Sequence, residues 1–284
     1  MKYLITGATG DVGGKVTELL LQHGERPAVY VRDAAKARAR FGDSIEVRTG
    51  DLGDAQSLST ALEGVDSLFL VNSGPRIPVW DEIAAKAAAH AGVQHLVKLS
   101  SMDVEHGLAI GAWHELGEEA IQNSGVPFTF VQPTGFMSNL LAWAYSIKAE
   151  GVVRSSTGAG RRAFIHSDDI AAVCAEVLLS RRYLGESLPI TGPQALSFAE
   201  VTAKIGDTIG KPLRYETISD EEARKRYAAA TGDPFEIVEA HVALWRAIRE
   251  GRLAVITEGV EHITGRKPRT LDQWLTENAA SFLS

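Results

Sequence analysis

The sequence predicts an α/β protein with a doubly wound parallel sheet and a smaller, mainly helical C-terminal region. Short apolar runs alternate with amphipathic segments up to about residue 133, a pattern typical of parallel strands joined by crossover helices. A glycine-rich turn follows the first apolar run. The 284 residues, 45% of them hydrophobic, can bury one large core and support an appendage.

Six strands and five helices account for the first half of the chain. The strands are predicted at residues 2–6, 27–32, 45–49, 66–72, 94–100 and 127–132. The helices are predicted at residues 12–23, 34–41, 55–63, 78–92 and 111–124. Two successive halves of this kind usually take the strand order 3-2-1-4-5-6, with ligands at the carboxyl ends of the strands. The prediction is therefore a Rossmann sheet with a ligand site along that edge.

The chain after Pro133 is less regular. We expect a short strand at 162–165, a helix start at Ser167-Asp168-Asp169, a strand near 187, and helices near 197–209, 219–230, 234–250 and 271–283. The apolar residues of these helices recur at helical spacing and need a surface to cover. We therefore place a sheet domain at 1–154, completed by 161–192, and a helical substrate or lid subdomain at 193–284.

The turn after the first strand has the sequence Thr6-Gly7-Ala8-Thr9-Gly10-Asp11-Val12-Gly13-Gly14. Glycines at this spacing let the chain turn tightly, let backbone N–H groups approach a pyrophosphate, and let the helix pack close to the sheet. The helix N-terminus adds partial positive charge. A plain strand-to-helix turn is the alternative. We predict a dinucleotide site that contains Gly7, Ala8, Thr9, Gly10, Asp11 and Val12.

The end of the second strand distinguishes the two nicotinamide dinucleotides. A carboxylate there binds the 2′-hydroxyl of NAD, whereas a guanidinium binds the 2′-phosphate of NADP. Arg32 comes first at this place and Lys36 follows it, so the sequence favours NADP(H). NAD(H) stays possible if Asp33, rather than Arg32, faces the ribose.

Residues 6–13, Thr-Gly-Ala-Thr-Gly followed by Val-Gly, resemble the extended and atypical short-chain dehydrogenase/reductases. The resemblance implies that Asp51 accepts a hydrogen bond from the adenine amino group and that Leu52 covers the ring. The remaining strand ends fall where this topology places ligands. They carry the other predicted cofactor residues, which are Asn72, Ser73, Ser100, Pro133 and Phe136.

The helix after the fifth strand lacks the tyrosine with which short-chain reductases usually protonate a carbonyl oxygen, assisted by a lysine four residues later. Counting back from Gly125-Val126-Pro127 puts Ile110 and His114 in the tyrosine and lysine places. His114 is the candidate catalytic residue, as a general acid or a substrate-orienting group, because its ordinary pKa of ~6.5 suits proton transfer near neutrality. A structural histidine is the alternative.

The same stretch resembles the NmrA-like branch of the atypical short-chain dehydrogenase/reductases over nearly the whole chain. The resemblance depends on His114, on Glu-Glu-Ala-Ile at 118–121 and on Phe136-Met137-Ser138-Asn139. That branch includes NAD(P)H-dependent quinone, azo and enone-type reductases and also redox-sensing regulators without catalysis. The resemblance therefore implies cofactor binding and leaves an oxidoreductase and a non-catalytic NAD(P)-sensing protein open. A sugar-nucleotide epimerase is disfavoured, because it also depends on the tyrosine.

Apolar residues near the strand ends predict the substrate wall. Aromatic surfaces suit planar, poorly charged ligands, so we expect a small apolar aromatic or conjugated acceptor. The residues assigned to the wall are Trp80, Trp113, Met137, Leu140 and Trp143. An open pocket favours a reductase, whereas a pocket filled by Trp113, Met137 or the lid favours a sensor.

Composition disfavours several other classes of protein. The net charge of −7 disfavours nucleic-acid binding. A single cysteine and eight histidines without ligand spacing predict no metal and no intrachain disulfide. No secretory leader opens the chain and no run approaches the ~20 apolar residues of a membrane span, so we expect a cytoplasmic protein without a membrane partner. The sequence leaves the oligomeric state open, a homodimer included.

Overall fold

The computed structural model describes residues 1–283 of the chain. Its strands are β1 Tyr3–Thr6, β2 Ala28–Val31, β3 Glu46–Thr49, β4 Ser67–Leu70, β5 His95–Leu99, β6 Phe128–Pro133, β7 Gly135–Phe136, β8 Val152–Ser155, β9 Arg161–Ile165, β10 Ser187–Ile190, β11 Ala195–Ser197 and β12 Arg214–Thr217. Its helices are α1 Asp11–Gln22, α2 Ala34–Phe41, α3 Ala55–Ala61, α4 Ile77–Ala91, α5 Ala109–Asn123, α6 Ala144–Glu150, α7 Ser167–Ser180, α8 Phe198–Ile209, α9 Asp220–Thr231, α10 Phe235–Arg249, α11 Gly259–Thr264 and α12 Leu271–Asn278. Further 3₁₀ turns cover Gly42–Ser44, Met102–His106, Met137–Trp143 and Ala279–Phe282.

The main sheet has seven parallel strands in the order β3-β2-β1-β4-β5-β6-β10. In its centre, Ile5 of β1 pairs with Val29 of β2 and with Phe69 of β4. The predicted order of the first six strands is confirmed, and their bounds differ from the predicted ones by at most two residues. β10 adds a seventh strand beside β6.

Helices cover both faces of this sheet. Side chains alternate between the two faces of a strand, so Ile5 packs with α1, α2, α7 and α11 on one face, and Leu4 packs with α3, α4 and α5 on the other. The central strands β1, β2 and β4 are buried on both faces, which is why their sequences are almost continuously apolar. Among residues 1–283, none of the helices combines the length and apolar character that a bilayer crossing requires.

The C-terminal region is more mixed than the predicted helical lid. β11, β9 and β7 form a second sheet, and β12 pairs with β8. β9 therefore does not join the main sheet, although residues 161–192 were expected to complete it; only β10 does so. These strands have two to five residues, too few for a periodic signal. The division at residues 192 and 193 stays a prediction.

Two helix ends differ from the sequence prediction. The N-cap of α7 is His166, whose Nδ1 accepts a hydrogen bond from the backbone N–H of Asp168 at 3.0 Å. The sequence predicts Ser167 or Asp168 as the N-cap, whereas Ser167 is the first residue of the helix. The helix predicted at 271–283 ends at Asn278 and continues as a 3₁₀ turn. α8, α10 and α12 enclose the third core, with Phe198, Leu244 and Trp274 among its buried residues.

Candidate active site

A cleft of about 280 Å³ opens at the carboxyl ends of β1 to β4. The chain passes from β3 on one side of β1 to β4 on the other side, and open α/β sheets bind ligands at such a reversal. The cleft is lined by Thr6, Gly7, Thr9, Tyr30, Val31, Arg32, Gly50, Asp51, Leu52, Val71, Asn72, Ser73 and Trp80. The fold thus brings together predicted cofactor residues from four strand ends.

The backbone of the first turn fits a phosphate cradle. Gly7 has a φ of +63°, in the left-handed region that other residues rarely adopt. The N–H of Gly10 donates to the carbonyl of Gly7 at 2.9 Å. Gly10 is also the N-cap of α1 and gives it no side-chain cap, so the first backbone donors of this helix suit an anion.

Three residues predicted in this turn have other side-chain environments. Ala8 and Val12 are buried in the core between the sheet and α1, so only their backbone atoms are suited to a cofactor. The side chain of Asp11 pairs with Lys15 at 2.9 Å. The spacing of the glycines predicts a cradle of backbone atoms. Whether a side chain between the glycines lies in the core or at the surface depends instead on the direction in which the turn and the helix point it.

Gly13 marks the closest approach of α1 to the turn. A Cβ at this position would lie 2.4 Å from the carbonyl oxygen of Gly7 and 2.9 Å from that of Thr6. We expect Gly13→Ala to lower the free energy of unfolding by about 1–3 kcal/mol and to weaken dinucleotide binding, as measured by urea denaturation and fluorescence titration. Gly14→Ala is the matched control, because the atoms nearest its Cβ belong to the side chain of Arg40 rather than to the backbone of the turn. Equal losses in both variants would contradict the proposed close approach.

Asp33 is a helix cap rather than a cleft residue. Its Oδ1 accepts a hydrogen bond from the backbone N–H of Lys36 at 3.0 Å, which satisfies a donor in the first turn of α2. Arg32 is exposed and lines the cleft, and Lys36 is exposed in the first turn of α2. One oxygen of the carboxylate on which NAD selectivity would depend therefore caps α2, while the guanidinium of Arg32 lines the cleft.

The loop after β3 forms the wall of the cleft that the family resemblance assigns to adenine. Asp51 Oδ1 accepts from the N–H of Gly53 at 2.8 Å, and the hydroxyl of Tyr30 donates to the carbonyl of Asp51 at 3.0 Å. Trp80 lies beside this loop, since a Cβ on Gly53 would be 3.3 Å from its Nε1. Trp80 also lines the cleft, and its assignment to the substrate wall stays a prediction.

A buried ion pair lies behind the end of β4. The Nζ of Lys98, on β5, is 2.5 Å from Oδ2 of Asp81, on α4, and both side chains have no exposed surface. Nδ2 of Asn72 donates to the other carboxylate oxygen of Asp81 at 2.7 Å. Because Asn72 lines the cleft, the ion pair holds a cleft residue from behind. Sequence analysis missed this pair, although a lysine inside the apolar strand β5 was a usable signal.

A second buried carboxyl group reaches the end of β5. The hydroxyl of Ser100 donates to Oε1 of Glu118, and Nε2 of Gln132 donates to the same oxygen at 3.0 Å. These three residues are 5%, 7% and 3% exposed. Burial raises the pKa of the Glu118 carboxyl, and the hydrogen bonds from Ser100 and Gln132 partly oppose that effect. The sequence predicts Ser100 as a cofactor residue, whereas Glu118 enters only as part of the motif that carries the family resemblance.

The environment of His114 differs from the one assumed for a general acid. Its side chain is buried on α5. Burial, with a smaller contribution from the positive charge of Lys98, lowers the pKa of His114 from 6.5 to about 3. The ring is therefore neutral near neutral pH and has no imidazolium proton to give there. A role in orienting the substrate stays a prediction.

The buried histidines predict a loss of stability in weak acid. Burial also lowers the pKa of His95 to about 4, with a smaller effect from Arg181. Because an unfolded histidine titrates near 6.5, their contribution to stability is complete above pH 6.5 and falls with pH as the unfolded chain binds protons that the folded protein excludes. We expect roughly 1.5 kcal/mol lost per histidine between pH 6.5 and 5. Urea denaturation at both pH values should show that His114→Gln loses less free energy of unfolding between them than the wild-type protein does. An equal loss in the two proteins would contradict the lowered pKa of His114.

Much of the predicted substrate wall is core. Met137 and Leu140 are 1% and 2% exposed and belong to the third core. Trp143 packs edge-on against Phe198 with ring centroids 4.9 Å apart. The assignments of Met137 and Leu140 are therefore corrected, because the 3₁₀ turn directs them toward α8 and its neighbours. Trp113 and Trp143 are only partly buried, and their contact with a substrate stays a prediction.

The last two predicted cofactor residues lie where β6 leaves the sheet. Pro133 ends β6, is buried, and is paired with Ile190 of β10. Phe136 is partly buried and packs against the core on the α1 side of the sheet. Both lie outside the cleft described above, whose lining comes from the ends of β1 to β4. Their contact with the nicotinamide end of a cofactor stays a prediction.

Comparison with known proteins agrees with this geometry. Residues 7–181 match the family model described as NAD(P)H-binding. The chain belongs to this NAD(P)H-binding family. Within it, the resemblance to the NmrA-like atypical short-chain dehydrogenase/reductases is confirmed. The glycine turn, the strand-end residues and the cleft of this NAD(P)H-binding protein fit the dinucleotide for which the family is named.

Individual relatives extend the likeness to the whole chain. The NAD(P)H-binding protein is 39% identical over 285 residues to the (4-alkanoyl-5-oxo-2,5-dihydrofuran-3-yl)methyl phosphate reductase of Streptomyces griseus subsp. griseus, covering 98% of each chain. It is 36% identical to an NAD(P)H azoreductase of Xenophilus azovorans, with the same coverage. The NADPH-dependent quinone oxidoreductase of Escherichia coli, complexed with NADPH, has a TM-score of 0.89 and 25% identity over 98% of this chain and 99% of that one. The chain is therefore similar over its whole length to NAD(P)H-dependent reductases.

Proposed function

We propose that this reductase uses NADPH to reduce a small, apolar conjugated carbonyl or a quinone-like acceptor. The observation that carries the proposal is the cleft at the reversal of strand order, where the glycine cradle of α1 and the guanidinium of Arg32 meet. The relatives support the acceptor class, because their names describe a furanone phosphate reductase and an azoreductase. These acceptors share a conjugated system that takes up two electrons.

Several residues of the chain would hold the cofactor. The backbone of Gly7 and Gly10 and the N-terminus of α1 suit the pyrophosphate, Arg32 and Lys36 the 2′-phosphate, and Asp51 and Leu52 the adenine. Bound NADPH supplies a hydride to the acceptor. NADP(H) is favoured over NAD(H) because the Asp33 carboxylate caps α2.

One contribution of the protein's own residues to the chemistry is to fix polar groups at the strand ends. Asn72 is oriented by a buried carboxylate, and Ser100 is held by Glu118 at the adjacent strand end. Groups that are held in place in a desolvated site can position the reactants without the catalytic tyrosine that α5 lacks. Reduction of a quinone needs no strong proton donor, since the anion that hydride transfer forms is delocalised.

A second candidate function is a non-catalytic NADP(H) sensor. The burial of Met137 favours it, because that side chain was expected to face an open substrate pocket and is 1% exposed instead. In a sensor, occupancy of the cleft would alter a partner interface rather than lead to hydride transfer. Turnover separates the two candidates.

The decisive experiment is the oxidation of NADPH, and separately of NADH, across a panel of quinones, azo dyes and enones. Cofactor binding is titrated in parallel by nicotinamide fluorescence. We expect turnover with NADPH on at least one acceptor class. Tight NADPH binding without turnover on any acceptor would reject the reductase and support the sensor, and turnover with NADH alone would reject the cofactor assignment.

A further inference from the structure

Glu118 is a buried carboxyl group that packing alone does not explain. It lies on α5, faces the sheet, and holds the hydroxyl of Ser100 through Oε1, the oxygen that also accepts from Gln132. Ser100 follows directly after β5, and its N–H still bonds to the carbonyl of Val131 at 2.7 Å in β6. Glu118 is thus connected to the carboxyl edge of the sheet by one hydroxyl group.

The register of α5 places this carboxyl group on the catalytic side of the helix. Ile110 and His114 occupy the places of the tyrosine and lysine used by other short-chain reductases, and Glu118 comes one helical turn later. Residues four apart lie on one face of a helix. The face that usually carries the proton donor therefore carries an apolar residue, a neutral histidine and then a carboxyl group.

We propose that Glu118 supplies the proton for the reduction and that the hydroxyl of Ser100 relays it to the reduced acceptor. The inference rests on the proposed reductase function and deepens it. It assigns the general-acid role to a carboxyl–hydroxyl pair in place of the missing tyrosine, and it makes Ser100 the residue that touches the acceptor.

The step balances without another reagent. Hydride from NADPH adds two electrons and one hydrogen to a conjugated carbonyl, which becomes an oxyanion. When Glu118 is protonated, its Oε1–H donates to Ser100, and the hydroxyl of Ser100 turns from Glu118 to the oxyanion. The O–H bond of Ser100 then breaks as the new O–H bond of the product forms, and the Oε1–H bond of Glu118 breaks as the hydroxyl of Ser100 is restored. Glu118 is left as a carboxylate, which takes up one proton from water before the next turnover.

The charges around Glu118 suit a carboxyl group that gives and regains a proton. Lys98 on β5 stabilises the carboxylate, whereas burial and the negative charge of Asp81 on α4 favour the protonated form. The net effect raises the pKa of Glu118 above its usual range. Lys98 is itself paired with Asp81 at 2.5 Å, so it opposes the protonated form only in part.

The test compares Glu118→Gln with Glu119→Gln, a matched change at the exposed neighbouring residue. Glutamine keeps an oxygen that accepts from Ser100 but has no acidic proton. We expect Glu118→Gln to lower kcat about 100-fold with an enone and much less with a quinone, because an enolate is the stronger base. The Kd for NADPH should be unchanged in both variants. Ser100→Ala should show the same enone-selective loss and serves if Glu118→Gln does not fold.

Two readouts exclude a merely structural role. The wild-type kcat with the enone should fall as pH rises through the pKa of Glu118, and Glu118→Gln should lose this limb. In the cofactor-free protein, an infrared titration should show a protonated-carboxyl band that persists above the usual glutamate pKa of ~4.3 and is absent from Glu118→Gln. An equal loss of kcat on both acceptors, an unchanged pH profile, or a band that titrates in the usual range would each overturn the proposal.

The failure of this proposal is distinguishable from the failure of the proposed function. If the wild-type protein reduces enones and Glu118→Gln does so equally well, the reductase stands and the proton path is wrong. If the wild-type protein reduces no acceptor, both are overturned. The infrared titration depends on neither outcome, because it is made without cofactor or acceptor.

Discussion

Replacement of Arg32 by glutamate is expected to weaken NADPH binding on the order of 100-fold while leaving NADH binding little changed. Arg32 is exposed at the end of β2 and lines the cleft. A charge-assisted hydrogen bond contributes about 1.5–3 kcal/mol, each 1.4 kcal/mol is about tenfold in Kd, and a carboxylate adds repulsion toward the 2′-phosphate. Nicotinamide fluorescence titrations of both cofactors measure the effect.

Arg38→Glu is the matched control for Arg32→Glu. Arg38 is also exposed and lies on the adjacent helix α2, so the control makes the same change in net charge nearby. Long-range electrostatics alone would weaken binding similarly in both variants and would be screened by salt. Equal weakening of NADPH and NADH by Arg32→Glu would remove the assignment of Arg32 to the 2′-phosphate.

Replacement of Lys98 by methionine is expected to lower the free energy of unfolding by about 3–5 kcal/mol, because it leaves the carboxylate of Asp81 buried without its partner. Both side chains of this pair have no exposed surface. The variant should also bind cofactor more weakly, since Asp81 orients Asn72 at the cleft. Urea denaturation at neutral pH measures the first effect, and fluorescence titration measures the second.

Lys86→Met provides the comparison for Lys98→Met. Lys86 pairs with Glu82 at 2.6 Å on the same helix as Asp81, but both side chains are more than half exposed. An exposed pair of this kind contributes under about 1 kcal/mol. The double variant Lys98→Met with Asp81→Leu should recover much of the lost stability, because it removes both charges. If Lys98→Met cost no more than Lys86→Met, the pair would not be a buried ionic contact.

Buried carboxyl groups support the polar residues at two neighbouring strand ends of the site. Two side chains on α4 and α5, Asp81 and Glu118, each hold a polar residue at a neighbouring strand end. Both carboxyl groups lie on the same face of the sheet, because α4 and α5 both cover that face. Removing bulk water from this face strengthens each of these hydrogen bonds and also makes each unpaired group costly.

His114 shows that a residue type alone does not determine whether a side chain can donate a proton near neutral pH. The sequence suggested a proton donor from the ordinary pKa of a histidine. The fold instead places the ring in a buried position near Lys98, which lowers the pKa of His114 to about 3. Burial and a neighbouring cation both oppose a charged imidazole, and neither can be read from the helical pattern of α5.

The sequence by itself determined the Rossmann half of the protein. Strand and helix bounds there follow from local periodicity, and the turn from Gly7 to Gly13 is specified by residues within one short segment. The cofactor edge follows from topology, because parallel strands present their carboxyl ends together. Local pattern and topology therefore suffice to predict that Gly7, Arg32 and Asn72 line the cleft, and the family resemblance adds Asp51.

Only the tertiary structure decided the roles of residues whose partners are distant in the chain. Asp33 caps α2, Met137 is a core residue rather than a pocket wall, and Glu118 contacts Ser100 across the helix–sheet interface. The local sequence pattern around such a side chain is the same whether the side chain caps a helix, packs in the core or contacts a strand end. Its role is fixed by which surface packs against it, and that packing is set by long-range contacts that periodicity does not encode.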